Sequence, residues 1–150
     1  MALWALAGLI VAAAAPAGPS EPEPTAAAVD ARLDRLFGEH DAYRKFLHDL
    51  QAAVVGDLRE QLAGMVSYPL STKLQGRAVR IRTPRQFLSH YETLLPVNTR
   101  QLIAQQSYEQ LFANSAGVMI GSGELWFSGV CKDEACSSRA IKIIALNPAR

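Results

Sequence analysis

Leu111–Val130, LFANSAGVMIGSGELWFSGV, is the stretch on which the reading of the fold turns. The stretch reads as a strand around Tyr108 to Ala113, a tight turn on Asn114-Ser115-Ala116-Gly117, and a long second run of strand from Val118 to Val130. Asn and Gly accept the left-handed backbone conformations that short connections between antiparallel strands require. Gly121 and Gly123 fall inside the second run, where glycine weakens a strand and often marks a bulge or bend. The expectation is one long strand bent at a Gly-x-Gly hinge, with a last apolar strand at Ala140–Leu146. Such a strand belongs to a strongly curved antiparallel sheet, which needs something to wrap around.

The N-terminal half supplies it. Apolar residues recur at three- and four-residue steps through Leu33, Leu36, Phe37, Tyr43, Phe46, Leu47, Leu50 and Val54, the stripe of amphipathic helices. Asp30 is the expected N-cap, Gly38 a break, and Gly56 a C-terminal signal. Asp57 with Glu60 resembles a capping box opening a short helix. Val66–Thr72 and Arg77–Arg82 read as two strands joined through Leu74-Gln75-Gly76, with Pro69 at an edge or strand start. Thr83-Pro84-Arg85-Gln86 opens a helix whose buried face is Phe87, Leu88, Tyr91, Leu94 and Leu95, and which Pro96 ends; Asn98 with Gln101 opens another. The fold class is therefore α+β, with N-terminal helices packed on a strongly curved antiparallel sheet of about five strands.

This order of elements, the segment LFANSAGVMIGSGELWF and the ending IKIIALN resemble the nuclear-transport-factor-2-like superfamily of cone-shaped domains, and within it small exported bacterial members. The resemblance covers Ala31 to Asn147. It implies a cone with a cavity, in a family that holds isomerases, dehydratases, polyketide cyclases and many non-catalytic binding or dimerising domains. Fold alone does not choose among these.

At the N-terminus MALWALAGLIVAAAAPA carries no charged side chain, and its apolar run is shorter than the ~20 residues of a membrane span. With Ala15-Pro16-Ala17 it reads as a signal peptide over 1–17, cleaved near Ala17, which makes the protein exported, either periplasmic or secreted. An uncleaved anchor is the alternative, since the segment lacks the usual basic n-region. Residues 18–29 read as a Pro-rich tether, and 30–150 as the single folded domain. Cys131 and Cys136, at the expected tip between the last two strands, then read as a disulfide worth about 2 kcal/mol, with free thiols or a metal site as the rival readings.

Fifteen basic residues against fourteen acidic ones leave no global excess to suggest a nucleic-acid binder. His40, His48 and His90 show no metal-ligand spacing, so neither a metal nor another cofactor is expected. GSG at 121–123 lacks the strand-turn-helix context of a nucleophile elbow. Alternation places Glu124, Trp126 and Ser128 on one face of a strand and Leu125 and Phe127 on the other. In one arrangement Glu124 and Trp126 line a pocket opposite Tyr68, His90 or Lys142, and a carboxylate beside an indole serves as acid or base. In the other, which is preferred, Leu125 and Phe127 point inward and Glu124 pairs with Lys142 on the surface. Glu124 and His90 are thus the catalytic candidates, and Tyr68, Tyr91, Trp126 and Lys142 the binding candidates.

Lys73, Arg77, Arg80, Arg82 and Arg85 fall within thirteen residues that contain no acid, either as solvated edge charges or as a ribbon for an anionic envelope surface. The leading functional expectation is an exported, non-catalytic binding domain for a partner protein or small apolar ligand, with a homodimer through the sheet left open. A small isomerase or hydratase, and a basic-hairpin binder of anionic envelope components, are the alternatives.

Overall fold

A computed structural model describes Gly18 and residues 22–148; the expected leader, 1–17, lies outside them. The chain is α+β, with six α-helices, one 3-10 turn and six strands among the described residues. Helix α1 spans Ala26–Phe37, α2 Asp41–Val55 and α3 Arg59–Gly64. Strands β1, Leu70–Leu74, and β2, Arg77–Ile81, form a hairpin. Helices α4, Pro84–Ser89, α5, Tyr91–Leu94, and α6, Val97–Gln105, follow. After a 3-10 turn at Tyr108–Gln110 come β3, Phe112–Asn114, β4, Gly117–Ile120, β5, Leu125–Cys131, and β6, Arg139–Leu146.

Several boundaries differ from expectation for local reasons. Helix α1 begins at Ala26, inside the expected tether: Thr25 caps it by accepting from the Ala28 amide, and three alanines, the strongest helix formers, follow. Asp30 is therefore an interior residue, not the cap. Asp57 does not close a capping box; its carboxylate turns to the Arg59 guanidinium, and Leu58 takes the cap position. Thr83 does cap α4, accepting from the Gln86 amide, and Gln86 accepts in return from the Arg82 amide. The chain breaks at His90, so the helix expected to run from Pro84 to Pro96 is two short ones.

The decisive stretch also divides. The strand expected from Tyr108 to Ala113 does not form as such: Tyr108–Gln110 is a 3-10 turn, and only Phe112–Asn114 pairs. Asn114–Gly117 makes the expected turn, with the Asn114 side chain accepting from the Ala116 amide. The Gly-x-Gly, however, is a second turn. Gly121 and Gly123 have φ of 66° and 116°, left-handed conformations that reverse the chain between β4 and β5. Val118 then pairs with Phe127 and Ile120 with Leu125. The expected long bent strand is an antiparallel pair.

The six strands form two antiparallel sheets, β1-β2 and β3-β4-β5-β6, in place of a single sheet of about five. Val66 links them: it bridges Ile143 in parallel, Ser67 donates to the Ile143 carbonyl at 2.8 Å, and the buried Thr72 hydroxyl donates to the Leu146 carbonyl at 2.7 Å. The four-stranded sheet is neither closed nor strongly curled, because the residues expected to bend it form a turn instead. Its inner face, Val118, Ile120, Leu125, Phe127, Ile143 and Leu146, is wholly buried. Tyr43 and Phe46 of α2 pack on Phe127 with ring centres 6.2 and 4.9 Å away, and the Gly129 amide donates to the Tyr43 hydroxyl. The expected helix-on-sheet core is present.

Candidate functional site

Leu125 and Phe127 point inward, so Trp126 stands on the opposite face. That face carries a short apolar row across three strands: Phe112 pairs with Met119, and Met119 with Trp126. Phe112 is 45% exposed, and Met119 and Trp126 are half-buried. Phe112 and Trp126 hold an edge-to-face contact, the geometry that aromatic quadrupoles favour.

The other candidates from the sequence do not form one site. Glu124 sits in the turn ahead of β5, its carboxylate accepting from the Ser122 amide at 2.6 Å while Asn147 donates to its backbone carbonyl. It thereby braces the Gly121–Gly123 turn, which Gln106 also holds by accepting from the Gly121 amide. Lys142 lies opposite Ser128, and its ammonium donates to the Gly64 carbonyl. Glu124 and Lys142 thus form neither the expected surface pair nor a pocket; the turn moves Glu124 out of the ladder altogether. His90 is exposed at the α4–α5 break.

Tyr91 is a core residue, 1% exposed, with Arg59 and Arg100 over its ring at 4.3 and 5.4 Å. Its buried hydroxyl makes no well-formed hydrogen bond, and burial pushes its pKa up. Sequence periodicity marked the side chain as buried; the two stacked guanidiniums, which Asp57 and Glu92 hold in ion pairs, had no signal in the spacing. Tyr68 is half-buried; its hydroxyl donates to the Ala63 carbonyl at 2.7 Å, and burial pushes it up to about 12. Tyr68 and Lys142 thus come together on the successive carbonyls of Ala63 and Gly64, whereas Tyr91 lies in the core and Trp126 on the outer face of the four-stranded sheet.

His40 is tied to a carboxylate at the α1–α2 junction. Its Nδ1 lies 2.8 Å from Asp34 Oδ1, and that hydrogen bond raises its pKa, while His48 is exposed on α2. Among the described residues no three His, Cys, Asp or Glu side chains gather as metal ligands would. A second polar cluster escaped the sequence reading: Asp30 accepts from Tyr108 and from Arg44, whose guanidinium lies 4.5 Å over the Tyr108 ring. The Tyr108 hydrogen bond, foremost, holds the Asp30 carboxyl below its ordinary value.

The basic residues stay together. Lys73, Arg77, Arg80, Arg82 and Arg85 are all exposed on the β1–β2 hairpin and the first turn of α4. A surface groove of about 370 Å³ is bordered by Tyr68, Pro69, Arg80 and Arg82, and another of about 710 Å³ by Lys73, Leu74, Thr93, Pro96 and Asn147 among others. Beyond them, Cys131 and Cys136 are joined in a disulfide at the β5–β6 tip, with Cα atoms 4.7 Å apart. Together with the finding that no helix among the described residues is long and apolar enough to cross a membrane, the disulfide is compatible with an oxidising compartment.

No known protein family matches the chain, and neither a characterised protein nor a solved structure is significantly similar to it.

Proposed function

We propose that this is an exported, non-catalytic binding domain that engages a partner protein through the outer face of its four-stranded sheet. One observation carries the reading: the inner face is filled by side chains with no exposed surface, while the outer face keeps Phe112, Met119 and Trp126 partly open to water. Large aromatic and Met side chains in contact, set on a rigid sheet, are the composition of protein interface cores. Export is supported by the disulfide and by the uncharged apolar start of the sequence. The nuclear-transport-factor-2-like relationship belongs to the same proposal, and its support is the order of elements: helices, hairpin, helices, antiparallel meander.

The test is a photo-crosslinking side chain placed at Phe112, with the same group at Arg35 on exposed α1 as control. The expected result is a discrete adduct, with a second copy or another protein, from position 112 alone. Equal labelling at both positions, or none at 112, would overturn the reading.

A further inference from the structure

Five cations gather on the β1–β2 hairpin and its exit, and no carboxylate answers them. Among the described residues, the ion pairs of Lys and Arg belong to Arg44, Lys45, Arg59 and Arg100, all elsewhere. Lys73, Arg77, Arg80, Arg82 and Arg85 take part in none of them, and the segment from Lys73 to Arg85 holds no Asp or Glu. Solvated charges of this density raise the local concentration of anions and leave guanidinium donors free.

The arrangement narrows what kind of anion fits. Arg80 and Arg82 are two residues apart and border one groove with Tyr68 and Pro69. Arg80 is the last residue but one of β2 and Arg82 follows its end, so two guanidinium forks spring from neighbouring points of the chain beside the groove. Each fork matches a carboxylate in bidentate fashion. Lys73 borders the larger groove, with Leu74 and Asn147, so cations flank more than one depression. A flat bilayer would meet cations displayed on one plane and would favour an apolar side chain projecting among them; Leu74 at the tip is half-buried instead. Single-stranded nucleic acid favours a series of aromatic platforms, and this groove has one, Tyr68.

We propose that the hairpin binds an acidic polysaccharide, a chain of sugar rings bearing carboxylates at regular intervals. Carboxylates sit on Arg80 and Arg82, and the apolar face of a sugar ring lies against Tyr68 and Pro69. This surface is separate from the aromatic sheet face, and the inference stands or falls independently of the partner proposed there.

The experiment is calorimetric titration of the full chain with a polyuronate at low and high salt. Arg80→Ala with Arg82→Ala is compared with Arg32→Ala with Arg35→Ala, which removes the same charge from exposed positions on α1. Binding is expected to weaken with salt, to fall about tenfold or more in the hairpin variant through loss of charge-assisted bonds, and to stay within about twofold in the α1 variant. Arg80→Lys with Arg82→Lys should be intermediate, since lysine keeps the charge but loses the planar fork. Circular dichroism of each variant checks that it is folded. Equal losses in the two alanine variants, no polyuronate binding at low salt, or tighter binding to anionic phospholipid vesicles or to single-stranded DNA would each overturn the proposal.

Discussion

Phe112 and Trp126 meet edge to face, with ring centres 6.3 Å apart and planes at 85°, one strand position outside a core in which Phe127 is wholly buried. Phe112 on β3 and Phe127 on β5 thus lie on opposite faces of one sheet, and their substitutions should separate. Phe112→Ser should cost about 1 kcal/mol, the aromatic contact and little else. Phe127→Ala should cost about 3–5 kcal/mol, because it opens a cavity beneath Tyr43 and Phe46. Urea unfolding of the two variants checks the difference; comparable losses would place Phe112 in the core.

Gly117 has φ of 148°, and a Cβ there would lie 2.7 Å from the Phe127 carbonyl oxygen. Gly38, at φ 83°, has open space around it. Gly38→Ala should therefore cost only the left-handed backbone, about 1–2 kcal/mol. Gly117→Ala should cost more, since the clash is with backbone of the neighbouring strand. Thermal melts that ranked the two variants the other way would contradict this.

Tyr108 is pushed up to about 12, first by burial and then by its hydrogen bond to Asp30. A raised folded pKa favours the protonated phenol. Its contribution is complete below the unfolded value of about 10 and is lost as pH rises through the folded value. Asp30 runs the opposite way: its lowered pKa gives a contribution that is complete above the unfolded value of about 4 and fades as pH falls through the folded one. Tyr108→Phe should flatten the stability profile between pH 10 and about 12, where Tyr68 also contributes. Denaturation midpoints across pH for wild type and variant supply the measurement.

Reduction of Cys131–Cys136, or Cys131→Ser with Cys136→Ser, should lower stability by about 2 kcal/mol or less without unfolding the domain. The pairs Leu125–Leu146 and Phe127–Ile143 fix the register of β5 against β6 from inside the core, far from the exposed tip. Near-ultraviolet circular dichroism with and without reductant would show whether the aromatic packing survives.

Where sequence reading succeeded, local chemistry decided the outcome. The Asn114–Gly117 turn, the Thr83 cap and the helical stripe from Leu33 to Val54 were legible because each depends on residues within one turn of the chain. The Gly121–Gly123 turn was misread because apolar residues continue on both sides of it. A signal was nonetheless there: Val118 and Ile120 share a parity that Leu125 and Phe127 break, and a strand without a bulge cannot change faces. Glu124 was misplaced as a consequence. The basic stretch was visible as composition, but the groove that brings Tyr68 and Pro69 beside Arg80 and Arg82 depends on strand pairing. The cluster of Asp30, Arg44 and Tyr108 joins residues 78 positions apart, a distance that no local pattern reaches.

The bridge from Val66 to Ile143 has a bearing on self-assembly. By occupying the outer margin of β6, it leaves two places where a foreign strand could dock: β3, three residues long, and β2, which carries Arg77 and Arg80. Brevity blunts one and like-charge repulsion the other. The molecule can therefore display bare aromatic rings to the solvent while its flanks resist zipping into fibres.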